Sequence, residues 1–214
     1  MNNETLKAGL AELIGTFILV FIGAAAVAAG QGVVAAALAH GLALVFIIAS
    51  YGHVSGAHVN PAVTLGLLVG RKIEVMKAVV YWVAQFAGAI LAAVLLRVLL
   101  KEGNLGETTG TLTESSPWLA AVFEGVLTFF LVSTVYQAAV YGKAGNLAAV
   151  AIGLTLAASI FAGGTYTGAS LNPARTLGPA LVAGSFGYLL PYFVGTLAGG
   201  ALAGLLHSTF FKSE

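Results

Sequence analysis

The sequence predicts an all-α membrane protein: six transmembrane helices plus two re-entrant half-helices, arranged as an inverted internal repeat. Three observations carry that prediction. Hydrophobic residues make up 59% of the 214 and charged residues only 8%. A soluble domain carries roughly 25% charged residues, so this chain could not cover a globule with polar surface. Six stretches are apolar over the ~20 residues needed to cross a bilayer core of ~30 Å. Finally, Gly-Ala-x-x-Asn-Pro-Ala occurs twice, in "SGAHVNPAV" (55–63) and in "TGASLNPAR" (167–175), 112 positions apart.

The spans are expected at about 7–29, 33–53, 75–100, 117–139, 145–163 and 186–209. The first is too long for a signal-peptide core, and its early half holds Glu12, which such a core avoids. The stretches 61–69 and 173–183 have about ten residues each, reaching only ~15 Å as helix. Both are half-spans that open on Asn-Pro. The loop 101–116, "KEGNLGETTGTLTESS", reads as a solvated connector. Lys7, Arg71, Lys72, Lys77, Lys143 and Lys212 fall at ends that six spans place on one side, against Arg97 and Lys101 on the other. The positive-inside rule then puts both termini in the cytoplasm. The expected location is the plasma or inner membrane.

The chain reads as one domain over 1–214, with a first repeat at about 7–100 and a second at about 117–209. Residues 37–63 and 149–175 share 12 of 27 positions. "AELIGTFILVF" (11–21) lies over "FEGVLTFFLVS" (123–133), which pairs Glu12 with Glu124. With a slightly shorter offset, "QFAGA" (85–89) lies over "YFVGT" (192–196). Three spans per half is an odd number, so the second half enters from the opposite face. Inverted repeats of this kind place their sites near the midplane at the repeat interface.

A single Asn-Pro-Ala is accounted for by helix initiation alone, because Asn is a good N-cap and Pro a good first residue. Two copies at inverted positions aim two helix N-termini at one another, each with roughly +0.5 charge and an Asn amide as donor. The stretches before them, Ser55 to Val59 and Thr167 to Leu171, cannot be helical spans. Non-helical backbone at this depth is tolerated where protein buries it or where it lines a wet cavity. Gly56, Ala57, His58, Gly168 and Ser170 are therefore candidates for pore-lining backbone. Glu12 and Glu124 read as twin braces that accept backbone N–H groups of the re-entrant loops. Repetition in both halves fits a brace better than a proton path. His53 and His58 are expected to satisfy loop groups, and His207 to pack at the end of the last span.

With both motifs, Arg175 after the second, and a Glu in spans one and four, the chain resembles the aquaporin, or major intrinsic protein, family over nearly its whole length. The resemblance implies an aquaporin-like pore for water in each subunit of a homotetramer, with no cofactor. It implies that Asn60 and Asn172 donate to one water in mid-channel, and it places a narrow filter on His40, Ile160, Ala169 and Arg175. The set His, Ile, Ala, Arg resembles plant vacuolar-membrane members, some of which also pass ammonia, urea or hydrogen peroxide. A glycerol facilitator is the alternative within the family. Its usual Asp after the Arg and basic residue four further on are here Thr176 and Ala180. The usual aromatic pair before the proline of span six is half kept, as Gly187 and Tyr188.

Other classes fare worse. A proton-coupled transporter needs titratable groups along its path, and the spans offer only the paired Glu and His40. No nucleophile–base set or metal cluster suggests an enzyme, and the absence of cysteine removes thiolate chemistry. A net charge of +1 gives no case for nucleic acid. The expected partners are the lipid bilayer, water and small neutral solutes.

Overall fold

The computed structural model describes residues 3–211; Lys212, counted above among the positive-inside charges, lies outside them. The described residues contain no strand. Helices α1 (Asn3–Ala28), α2 (Gly32–Ser55) and α4 (Val75–Leu100) cross between the faces, and the half-helix α3 (Pro61–Val69) lies between α2 and α4 in sequence. A short helix α5 (Thr111–Ser115) precedes α6 (Pro117–Val135), which runs on through a π-helical turn, Tyr136–Val140. A 3₁₀ turn (Gly145–Leu147) leads into α7 (Ala148–Thr167), followed by the half-helix α8 (Pro173–Ala183) and by α9 (Leu189–Thr209). Among the described residues, six helices are long and apolar enough to cross a membrane. Their outward faces carry large apolar side chains such as Leu42, Val83, Leu119 and Leu190, as lipid contact requires.

Helix pairs α1–α4, α6–α9, α2–α7 and α1–α2 make the main packing contacts. Glycine decides how close some of them come, since small residues let membrane helices approach backbone to backbone. On α9, a Cβ at Gly195 or Gly199 would stand 2.0 Å from the carbonyl oxygen of Ala121 or Gly125 of α6. On its other flank, a Cβ at Gly200 or Gly204 would stand 2.4 or 2.1 Å from Ala62 O or Gly66 O of α3. Helix α9 is thus wedged between a full span and a half-span. Gly199→Ala should cost ~1–3 kcal/mol, the usual range for overpacking a core. The loss should be read as a lower melting temperature in detergent; unchanged melting would contradict the packing.

Two expectations need correction. Loop 101–116 is a solvated connector only in part: residues 101–104 are exposed, while the middle is not. Leu105 and Thr108 are buried, and Thr113 Oγ1 bonds Tyr192 OH at 2.7 Å. Gly106 approaches so near α1 that a Cβ would stand 2.3 Å from Ala24 O. The polar sequence supplies short side chains and glycines that let the loop fold against the helices. The second correction concerns register. Tyr81 OH donates to Ser55 O at 2.6 Å, and Tyr192 OH donates to Thr167 O at 2.7 Å. Gly88 sits over Leu13 O of α1 as Gly199 sits over Gly125 O of α6. Tyr81 therefore corresponds to Tyr192, and the "QFAGA"–"YFVGT" match is one turn out.

Candidate functional site

Each re-entrant segment begins where a span is stopped by glycine in the left-handed region, Gly56 (φ 89°) after α2 and Gly168 (φ 77°) after α7. The next residues continue in unusual backbone: Ala57, Val59, Ala169 and Leu171 all have φ between 43° and 56°. Such non-glycine residues cost on the order of 1–3 kcal/mol each and persist only where the surroundings hold them.

A buried carboxylate does the holding in each half. Glu12 Oε1 accepts from Ser55 Oγ (2.7 Å) and His58 N (2.9 Å), and Oε2 from Val59 N (2.6 Å). Glu124 Oε1 accepts from Thr167 Oγ1 (2.7 Å) and Ser170 N (2.9 Å), and Oε2 from Leu171 N (2.7 Å). Both glutamates are fully buried. With N–H groups tied back to the carboxylates, the segments' carbonyls are left to face elsewhere. Gln85 adds one bond in the first half only, to Glu12 Oε2 at 2.8 Å, and also donates to Thr64 Oγ1 at 3.0 Å. Gln85, Tyr81, Tyr192, Ser55 and Thr167 are the supporting residues that the sequence reading missed. A signal existed for Ser55 and Thr167, a hydroxyl before glycine at both copies of the motif.

The half-helices start as their sequence demands. Asn60 Oδ1 accepts from Ala62 N at 2.8 Å, and Asn172 Oδ1 from Ala174 N (2.9 Å) and Arg175 N (3.2 Å). Their amide nitrogens cross over. Asn60 Nδ2 donates to Leu171 O and Asn172 Nδ2 to Val59 O, each at 2.8 Å. The two N-termini meet back to back, each bonded to the other's loop.

Both asparagines line a cavity of about 720 Å³. It runs from an end bearing Lys72 and Lys77 past apolar walls that include Val63 and Ile152, to His40 and Arg175. Gly56, Ala57, His58 and Ser170 also line it. Gly168, Ile160 and Ala169 are not among the residues that line it; Ile160 and Ala169 are buried in the adjoining apolar cluster. His58 bonds Thr64 Oγ1 through Nδ1 at 3.1 Å. His53, expected to do likewise, is exposed on the cavity wall with no such bond. His207 stacks on Tyr136, ring centroids 5.3 Å apart.

Arg175 is 2% exposed, yet the only ion pair among the described residues is Lys7–Glu4, far from it in sequence and on the surface. Its Nε donates to His40 Nε2 at 3.0 Å, and its Nη1 has no hydrogen-bond partner among the described residues. An intramembrane cation is costly and marks function by default. Glu124 is committed to the loop and does not pair with it.

Comparison with known proteins agrees with this architecture. The family model described as "Major intrinsic protein" matches residues 1–207. Aquaporin TIP1-1 of Zea mays is 44% identical over 225 residues, covering 98% of this chain and 88% of that protein. Probable aquaporin TIP2-2 of Arabidopsis thaliana is 42% identical over 221 residues, covering 97% and 88%. The aquaglyceroporin of Plasmodium falciparum has a similar structure, with a TM-score of 0.79 at 25% identity over 97% of each chain. The chain belongs to the major intrinsic protein family.

Proposed function

We infer that this integral, multi-pass membrane protein is a passive channel for water that excludes protons and ions; it is not an enzyme. The crossed asparagines support this most directly. A primary amide has two N–H donors. One of each pair is spent on the opposite loop, which leaves one on Asn60 and one on Asn172 for the cavity they line. A passing water accepts from both through its oxygen. It cannot then accept a proton from a neighbour, so the hydrogen-bonded file is broken at mid-channel, where two helix N-termini also oppose cations. Purified protein in liposomes should speed osmotic swelling while leaving an imposed pH gradient intact. Collapse of the gradient would falsify the reading.

Arg175 and His40, with Ile160 and Ala169 beside them, form the filter. Small Ala169 and the absence of a phenyl ring leave it wide, and Ile160, in the buried apolar cluster behind it, keeps that side apolar. Water passes first, ammonia or a similar small neutral solute second, and glycerol poorly; Thr176 and Ala180 speak against a glycerol facilitator. The double substitution His40→Phe with Ile160→His should keep water flux and lower ammonia flux in the same vesicles. An unchanged ammonia-to-water ratio would remove these two residues from the filter. The working form is a homotetramer in the plasma or inner membrane, with both termini cytoplasmic.

A further inference from the structure

The His40 ring has a seat that none of the four filter positions supplies. Nδ1 lies 2.8 Å from Ala36 O, one turn back on α2. A carbonyl oxygen only accepts, so Nδ1 carries the ring proton. Nε2 is then the acceptor, and it takes the Nε–H of Arg175 at 3.0 Å. The edge of the ring that contains Nε2 rests on bare backbone of α1. A Cβ added at Gly23 would lie 2.1 Å from Nε2, 2.3 Å from Cδ2 and 2.5 Å from Cε1.

Gly23 sits inside α1 with ordinary helical backbone, so no turn or positive φ calls for glycine. Glycine in a helix interior costs up to ~1 kcal/mol against alanine, and membrane helices use such small residues where another group must come close. At the offset of 112, Gly23 and His40 correspond to Val135 and Ile152. Where no ring has to be seated, a branched side chain stands in glycine's place.

We propose that Gly23 is a specificity-determining positioning residue, which seats the His40 ring so that Nε2 holds Arg175 to one side of the pore. The proposal rests on the assignment of His40 and Arg175 to the filter. A methyl group at position 23 meets first the atom that accepts from Arg175. The ring tips off α1, and the guanidinium loses its lateral bond. Both groups then turn to the cavity that His40 and Arg175 line. Water satisfies them, donating to the freed Nε2 and accepting from the guanidinium. Ammonia is a poor donor and is held back.

The test compares wild type, Gly23→Ala, His40→Ala and the double variant in proteoliposomes, with swelling for water and an internal pH dye for ammonia. Gly23→Ala should lower the ammonia-to-water ratio about fivefold, the factor expected for one lost hydrogen bond. With the ring removed the methyl has nothing to displace, so the double variant should match His40→Ala. If Gly23→Ala does not fold, the double variant should still fold as His40→Ala does, because the methyl enters the space the ring has left. A wild-type ratio in Gly23→Ala overturns the proposal. So does an undiminished effect in the His40→Ala background, or a double variant that fails to fold where His40→Ala folds. A wild-type ratio in His40→Ala overturns the filter assignment itself.

Discussion

Glu124→Leu should abolish water flux and sharply reduce the amount of folded protein in the membrane. The substitution leaves the N–H groups of Ser170 and Leu171 buried without their acceptor, and the Thr167 hydroxyl loses its shorter bond. An unsatisfied buried donor costs ~1–3 kcal/mol, so the two amides alone amount to roughly 2–6 kcal/mol. That is a large share of the ~5–15 kcal/mol that stabilises a typical fold. The same two bonds hold Leu171 at positive φ and set the direction of the carbonyl that Asn60 reaches. Glu124→Gln keeps one acceptor oxygen but turns an NH₂ toward a donor, so it should lie between wild type and leucine. Melting in detergent and flux per purified channel would both register the loss. Normal melting with normal flux in Glu124→Leu would mean that the loop stands without its brace.

Arg175→Val should open the channel to cations and to larger neutral solutes while water still passes. Valine is the residue at the corresponding place in the first motif, Val63, so the half-helix itself tolerates it. A cation ~4 Å from the guanidinium is repelled by ~4 kcal/mol at an effective dielectric of ~20. Removing that repulsion raises cation occupancy there by up to about a thousandfold. The helix N-termini at Asn60 and Asn172 remain, so the leak should stay well below that of an open pore. Conductance across planar bilayers and glycerol flux in vesicles are the measurements. No rise in either would remove Arg175 from the filter.

Much of the fold was legible because a bilayer imposes a length on every span and charges a high cost for exposed backbone. The half-helices announced themselves as apolar stretches too short to cross, each opening on Asn-Pro. The twin glutamates were legible as braces because they recur at one offset. Less was legible wherever glycine does the work. The register of α4 against α9 was misread because Gly195 and Gly199 both lie against α6, so two alignments one turn apart look alike. Loop 101–116 looked solvated because its composition is polar, yet Gly106, Leu105 and Thr113 fix it by close approach and burial. The Arg175–His40 bond joins α8 to α2 and depends on a bare patch of α1, a three-body arrangement with no spacing signal.

The crossed amides at the centre also set an order of events during synthesis. A chain emerges N-terminus first, so Asn60 and Val59 enter the membrane long before Leu171 and Asn172 exist. In that interval the Asn60 amide and the Val59 carbonyl have no partner across the middle, and irregular backbone at that depth is expensive in hydrocarbon. The first half alone braces the loop through Glu12 but lacks the α9 backbone on which Gly66 packs and the Leu171 carbonyl that Asn60 reaches. The half-helix should therefore stay loosely seated until α8 and α9 arrive. Neither half holds a finished water path by itself. The path closes as a late, joint event, and a ribosome stalled before residue 171 leaves a membrane-bound but sealed fragment.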